Sequence, residues 1–211
     1  MEHPILNRIR RESFTPLGWF APSDMGDTAF VILIGNAGPQ MFRRFTHDGG
    51  YSLDDWTRAV VEPMADDLDA RAVFPFDVPH LPFLSWARRG GAGHVSPLGL
   101  NIHPTVGLWH AYRAALLFPV AFDLPRASIG AHPCETCVAK PCLDACPVQA
   151  FDGKSYNVGA CGAHVNAGAN ECMKGGCLAR RACPVGVQYQ YAKPQAQFHM
   201  KAFAQARRRD V

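Results

Sequence analysis

The apolar positions of this chain fall into runs whose spacing changes along its length. "DTAFVILIG" (27–35) is a continuous apolar run with β-branched residues, ended by "GNAGP", which is the pattern of a central strand buried on both faces. "PQMFRRF" after it predicts a short helix. In "SLDDWTRAVVEPMADDLDAR" the apolar residues Trp56, Val60, Met64 and Leu68 recur every four positions, and Ser52 and Asp55 have the spacing of a capping box. A helix is expected there, kinked at Pro63. "AVFPFDVP" reads as extended, "PFLSWARRGG" as a short helix, "PLGLNIHP" as a strand and "TVGLWHAYRAALLF" as a helix stopped by Pro119. Strands alternating with helices predict an α/β or α+β sandwich over residues 15 to 125. There is no internal repeat and no low-complexity stretch.

Composition adds a size limit. The chain has 211 residues, 48% of them hydrophobic, enough for one main core and a small appendage. A net charge of +3 gives no large field to attract nucleic acid, and the run Arg207, Arg208, Arg209 reads as a solvated tail. "MEHPILNRIRRESF" lacks the apolar region of a secretory signal, and the longest apolar runs are too short to span a bilayer. The expectation is a cytoplasmic protein without membrane contact, in a compartment where thiols stay reduced.

That compartment gives the cysteines their meaning. All eight lie in the last 78 residues, in the order Cys134, Cys137, Cys142, Cys146-Pro147, Cys161, Cys172, Cys177, Cys183-Pro184. Zinc sites pair close cysteines and need no proline after the last ligand. Twin Cys-Pro endings resemble a two-cluster ferredoxin, in which the cysteine before proline leaves its own run to ligate the other cluster. Carried over, that topology puts one 4Fe-4S cluster on Cys134, Cys137, Cys142 and Cys183. The second falls on Cys146, Cys161, Cys172 and Cys177. One cluster with free thiols, and zinc, are the alternatives. "VAKP" between Cys137 and Cys142 departs from the ferredoxin pattern, which has two residues there.

Clusters that pass electrons need an acceptor, and here a resemblance enters. "RESFTPLGWF" (11–20), "AFVILIGNAGPQMFRRF" (29–45) and "GLNIHPTVGLWHAYRAALLFP" (99–119) resemble segments of the CblC-type cobalamin-processing proteins. That family is structurally kin to nitroreductases, reductive dehalogenases and epoxyqueuosine reductases. The order "SWARRGG", "HPTVGLW", cysteine module is similar to that of the epoxyqueuosine reductases, in which a lone cysteine also lies between two clustered runs. The resemblance implies an α+β fold, with a nitroreductase-like sandwich in residues 1–130 and a small bacterial-ferredoxin-like iron-sulfur module in 131–211.

It also implies cobalamin bound base-off with no protein ligand to cobalt. The contacts would come from Gly18, Trp19, Gly99, His103, Pro104, Gly107, Trp109 and Arg113. On the expected helix Trp109 and Arg113 are i and i+4 and share a face, although a core tryptophan and a snorkelling arginine are the plain alternatives. A histidine at a strand end, such as His103, is more often a hydrogen-bonding core residue.

The leading functional expectation is a corrinoid-processing reductase that reduces cobalt and expels an upper ligand such as cyanide. Its partners would be cobalamin and an electron donor such as a reduced ferredoxin, flavodoxin or flavin reductase, with no nucleic acid. The alternatives are tRNA modification like that of epoxyqueuosine reductase, with Asp77 as the candidate acid, or a plain ferredoxin-type carrier. No phosphate-binding glycine loop points to flavin.

Overall fold

The order of elements in the computed structural model, which describes residues 3–125 and 130–208, is α1 (Pro4–Arg11), β1 (Thr15–Phe20), β2 (Phe30–Ala37), α2 (Gln40–His47), α3 (Leu53–Asp67), β3 (Arg71–Val73), α4 (Phe83–Arg89), β4 (His94–Val95), β5 (Asn101–Ile102), β6 (His110–Phe118), α5 (Pro141–Asp144), α6 (Val158–Asn166), α7 (Glu171–Gly175), α8 (Leu178–Arg181) and α9 (Lys193–Arg208). Arg209 of the C-terminal basic run lies outside the described residues. Among those residues, no helix is long and apolar enough to cross a membrane.

The chain forms two compact units. One takes in the residues up to Gly93 together with His110–Gly130; the other joins His94–Trp109 to the residues from Ala131 onward. The sequence suggested a division near residue 130. Segment 94–109 instead belongs with the cysteines, because Leu98, Ile102 and Leu108 are buried in one cluster with Cys142, Cys146, Phe151 and Cys183.

In the first unit the strands run in the order β1-β2-β6-β3, and every pairing is antiparallel. Helices beside an antiparallel sheet make the architecture α+β. β2 is buried along nearly its whole length, as its apolar run requires. Val31, Leu33, Ala115 and Leu117 join Phe20, Val73 and Trp86 in one core cluster. The Ser52 hydroxyl accepts the Asp55 amide at 3.2 Å, and α3 runs as one helix through Pro63.

One element differs from the sequence reading: residues 110–118 form strand β6, not a helix. A short apolar run such as "AALLF" has no period that separates a buried helix from a buried strand. Here tertiary pairing decides it. β6 lies between β2 and β3, with Phe30 opposite Phe118 and Val73 opposite Ala115.

The second unit is built from short pieces. β4 and β5 form a hairpin, closed where the Gly99 amide donates to the Ser96 carbonyl at 2.9 Å. The helices α5, α7 and α8 are five residues long or less, too short to be stable alone.

Candidate functional site

The eight thiols sort into two sets of four. Cys134, Cys137, Cys142 and Cys183 line one cavity, walled by Ile102, Pro133, Pro184 and Val185 among others. Burial pushes the Cys134 thiol up to about 11, and negative charge on Cys183, Cys142 and Cys137 pushes the same way. Cys142 and Cys183 are also raised, first by burial. The "VAKP" insertion has a structural role. Val138 turns outward, 94% exposed, Lys140 takes a left-handed conformation at φ 41° ahead of α5, and Pro141 begins that helix, where its missing amide costs nothing. Two extra residues thus start a helix that buries Cys142.

The second set is Cys146, Cys161, Cys172 and Cys177. Asn157 and Asn170 cap α6 and α7 through the amides of Ala160 (2.9 Å) and Met173 (3.0 Å), fixing the helices that carry Cys161 and Cys172. Cys177 is the residue before α8. The Ala150 amide donates to the Cys146 sulfur at 3.3 Å. Burial raises the Cys161 thiol, a hydrogen bond from Tyr156 opposes that, and charge on Cys146 and Cys172 raises it again. Burial pushes Cys177 up to about 11, opposed by the Arg180 amide and reinforced by Cys172 and Cys161. Ahead of α6, the Asp152 carboxylate accepts the amides of Lys154 (2.8 Å) and Ser155 (2.6 Å) and the Ser155 hydroxyl (2.7 Å). Those bonds hold its pKa at about 2, so this turn stays charged at neutral pH.

Four clustered thiols per set are soft donors suited to iron or zinc. Raised pKa values mean that metal must displace protons to bind. Among the described residues, no group of three or more His, Cys, Asp or Glu side chains could hold a single metal ion.

The residues expected to contact a corrinoid divide between the two units. Gly18, Trp19 and Arg113 fall in the first, along with Asp77, while Gly99, His103, Pro104, Gly107 and Trp109 fall in the second. Gly18 sits where a side chain would meet the Gly90 carbonyl at 2.6 Å and Ala92 at 2.8 Å. Its small size therefore serves packing within the chain. The Trp19 indole donates to the Pro125 carbonyl at 3.0 Å. The His103 Nδ1 accepts the amides of Thr105 (3.0 Å) and Val106 (3.3 Å), and burial lowers its pKa. His103 is therefore a neutral residue holding the turn that contains Pro104.

Trp109 and Arg113 do not share a helix face, because the chain is not helical there. The Trp109 ring is 3% exposed and lies edge-on to Tyr191 at 5.5 Å. Its buried Nε1 has no hydrogen-bond partner. The Arg113 guanidinium instead binds α3, donating to the Leu53 carbonyl (3.1 Å), Thr57 Oγ1 (3.0 Å) and Asp54 (2.5 Å). Arg113→Ala is accordingly expected to lower stability in urea by about 2 kcal/mol, from lost charge-assisted hydrogen bonds. An unchanged midpoint would leave those bonds without energetic weight. Asp77 is similarly engaged: Oδ2 accepts the Phe74 amide at 2.8 Å and Oδ1 pairs with Arg58 at 2.6 Å.

Sequence reasoning missed Arg180. Its Nε donates to the Leu108 carbonyl at 2.9 Å, and its guanidinium lies over the rings of Trp109 (4.8 Å) and Tyr191 (4.5 Å). It stands between Cys177 and Cys183 in the chain and fastens the "GLW" turn within the cysteine-bearing unit. Nothing local in "LARRACP" could have announced a partner 72 residues away.

No family model and no curated protein matches the chain. Solved structures do. A selenomethionine-labelled epoxyqueuosine reductase matches with a TM-score of 0.53 at 14% identity, covering 90% of this chain and 68% of its own. A Bacillus subtilis epoxyqueuosine reductase with its catalytic loop swung out of the active site matches at 0.50 and 16%, covering 87% and 65%. An epoxyqueuosine reductase with an epoxyqueuosine-modified tRNA stem loop matches at 0.51 and 17%, covering 88% and 66%. This chain has that fold and spans about two thirds of the length of those proteins.

Proposed function

We propose that the chain is an iron-sulfur oxidoreductase in which Cys134, Cys137, Cys142 and Cys183 hold one 4Fe-4S cluster and Cys146, Cys161, Cys172 and Cys177 hold another. The single observation that carries this reading is that Cys183, 41 positions after Cys142, lines one cavity with Cys134, Cys137 and Cys142, while Cys161 has Cys146 and Cys172 as charged neighbours and Cys177 has Cys172 and Cys161. The bound clusters supply one-electron transfer. The chain's own part is to exclude water with Ile102, Pro133, Pro184 and Val185, and to fix the thiols from capped helices. Amide and hydroxyl donors to sulfur, such as Ala150 N–H on Cys146, favour the more negative reduced state.

The substrate reading best supported is a nucleoside epoxide in RNA, reduced with two electrons and two protons. The fold neighbours are epoxyqueuosine reductases, one of them solved with a tRNA stem loop. The low overall charge that argued against RNA is also uneven. The unit bearing the cysteines has ten Lys and Arg against five Asp and Glu, a net +5, leaving the other at −2. On this reading Asp77 is a loop cap, and the proton comes from another group.

Corrinoid processing keeps one observation in its favour. The Trp109 Nε1 is a buried donor without a partner, in the segment that resembles cobalamin-processing proteins, and a corrin amide oxygen is an acceptor that would satisfy it. Anaerobically reconstituted protein, reduced with dithionite, separates the two. With cobalamin and a tRNA stem loop bearing epoxyqueuosine, nucleoside mass spectrometry is expected to record loss of the epoxide. Decyanation of cyanocobalamin with the RNA untouched would overturn the RNA reading in favour of corrinoid processing.

A further inference from the structure

We propose that the surface formed by α6 and the C-terminal end of α9 is the docking site for a small acidic ferredoxin, which delivers electrons to the cluster ligated by Cys161. The proposal rests on the iron-sulfur reading above and names the route by which that reading receives its electrons.

The first argument is charge. α6 and α9 contain no acidic residue over their combined length, while the C-terminal half of α9 carries Lys201, Arg207 and Arg208. Among the described residues, the unit's acids lie outside these two helices. Asp152 is enclosed in its turn by Ser155 and Lys154 amides, and Glu171 pairs with Lys174 at 2.9 Å. A one-sign face of this kind steers an oppositely charged protein and speeds its encounter.

The second argument is shape. A groove of about 480 Å³ lies along the surface, with Val158, Gly159, Gly162 and Ala163 of α6 on one side and Arg207 and Arg208 on the other. The Arg207 stem packs on Gly162, and Arg208 Nε donates to Asn166 at 2.5 Å, so both side chains are held along the groove. The groove is apolar within and basic at its edge, which suits the small, mostly polar interfaces of electron-transfer partners.

The third argument is position. Gly159, Gly162 and Ala163 flank Cys161 within two residues on the same short helix. With side chains this small, a partner in the groove approaches the helix backbone, and through it the second cysteine set. Electron tunnelling falls steeply with distance, so a covering of such small residues favours entry. RNA is the poorer occupant, because a nucleic-acid footprint needs a longer basic track and stacking aromatics, and the groove walls are small and aliphatic.

In the step itself, one electron leaves the reduced cluster of the ferredoxin and enters the oxidised cluster on Cys146, Cys161, Cys172 and Cys177. No bond is made or broken and no proton moves.

The test uses reconstituted full chain and a small acidic two-cluster ferredoxin, with Lys201→Glu/Arg208→Glu, both sites exposed, and Ala163→Trp, which fills the groove without changing charge. Iron, acid-labile sulfide and end-point reduction by dithionite are measured first; lack of sulfide in the parent overturns the oxidoreductase reading itself. Given intact clusters, calorimetry at low ionic strength is expected to give at least about tenfold weaker ferredoxin binding in both variants. Stopped-flow reduction by ferredoxin should slow by a similar factor. Affinity and rate within about twofold of the parent in both variants overturn the proposal. So does weakened binding of a tRNA stem loop with ferredoxin binding unchanged.

Discussion

Cys183→Ser protein, reconstituted anaerobically, is expected to hold about four iron atoms and four acid-labile sulfides per chain where the parent holds about eight of each. The remaining cluster should be the one on Cys146, Cys161, Cys172 and Cys177. Cys183 follows Cys177 by only six positions, and adjacency alone would group the two. Their surroundings separate them: Cys183 lines the cavity of Cys134, Cys137 and Cys142, and Cys177 faces Cys172 and Cys161. Cys177→Ser should therefore leave the other half of the iron, with a different electron paramagnetic resonance spectrum in the reduced state. Identical residual spectra from the two variants would mean that the thiols are not divided in this way.

Gly107→Ala is expected to destabilise the cysteine-bearing unit by about 3 kcal/mol or more and to reduce the yield of reconstituted clusters. Two independent costs add. Gly107 has φ +61°, a left-handed conformation that burdens any residue with a side chain by about 1 kcal/mol or more. A methyl group there would also overlap the Val185 carbonyl, and overpacking of that kind costs about 1–3 kcal/mol. The crowding is mutual, since a side chain on Gly186 would meet the carbonyl of Val106. Two backbones thus touch at paired glycines, beside the Pro184 that follows Cys183. Gly99→Ala is the control. Its φ of +71° is similar, yet nothing lies within 4 Å of the added carbon, so only about 1 kcal/mol should be lost. Thermal unfolding that ranks the two variants equally would remove the contact from the account.

The parts of this protein legible in its sequence are those governed by local rules. The β2 run has enough consecutive β-branched and apolar residues to be read as a buried strand, and Ser52 announced the start of α3 by the oxygen it offers to Asp55. The cysteine spacing suggested a crossing of Cys146 and Cys183 between runs; Cys183 lines a cavity with Cys134, Cys137 and Cys142. β6 was not legible, because "HAYRAALLF" carries residues compatible with either period and its conformation is set by β2 and β3 from far along the chain. The same error undid the pairing of Trp109 with Arg113, which depended on a helical turn between them. Arg113 went to α3 and Trp109 to Tyr191 and Arg180. Their partners lie 56 to 82 residues away, and no spacing rule reaches that far. The role of "VAKP" required φ of Lys140, a quantity that sequence does not display for a lysine.

Quantitative iron and acid-labile sulfide analysis of the anaerobically reconstituted chain, read beside its visible absorption spectrum, tests the central claim most directly. The account predicts about eight irons and eight sulfides per chain, with a broad charge-transfer band bleached by dithionite. Stoichiometric zinc without acid-labile sulfide would contradict it.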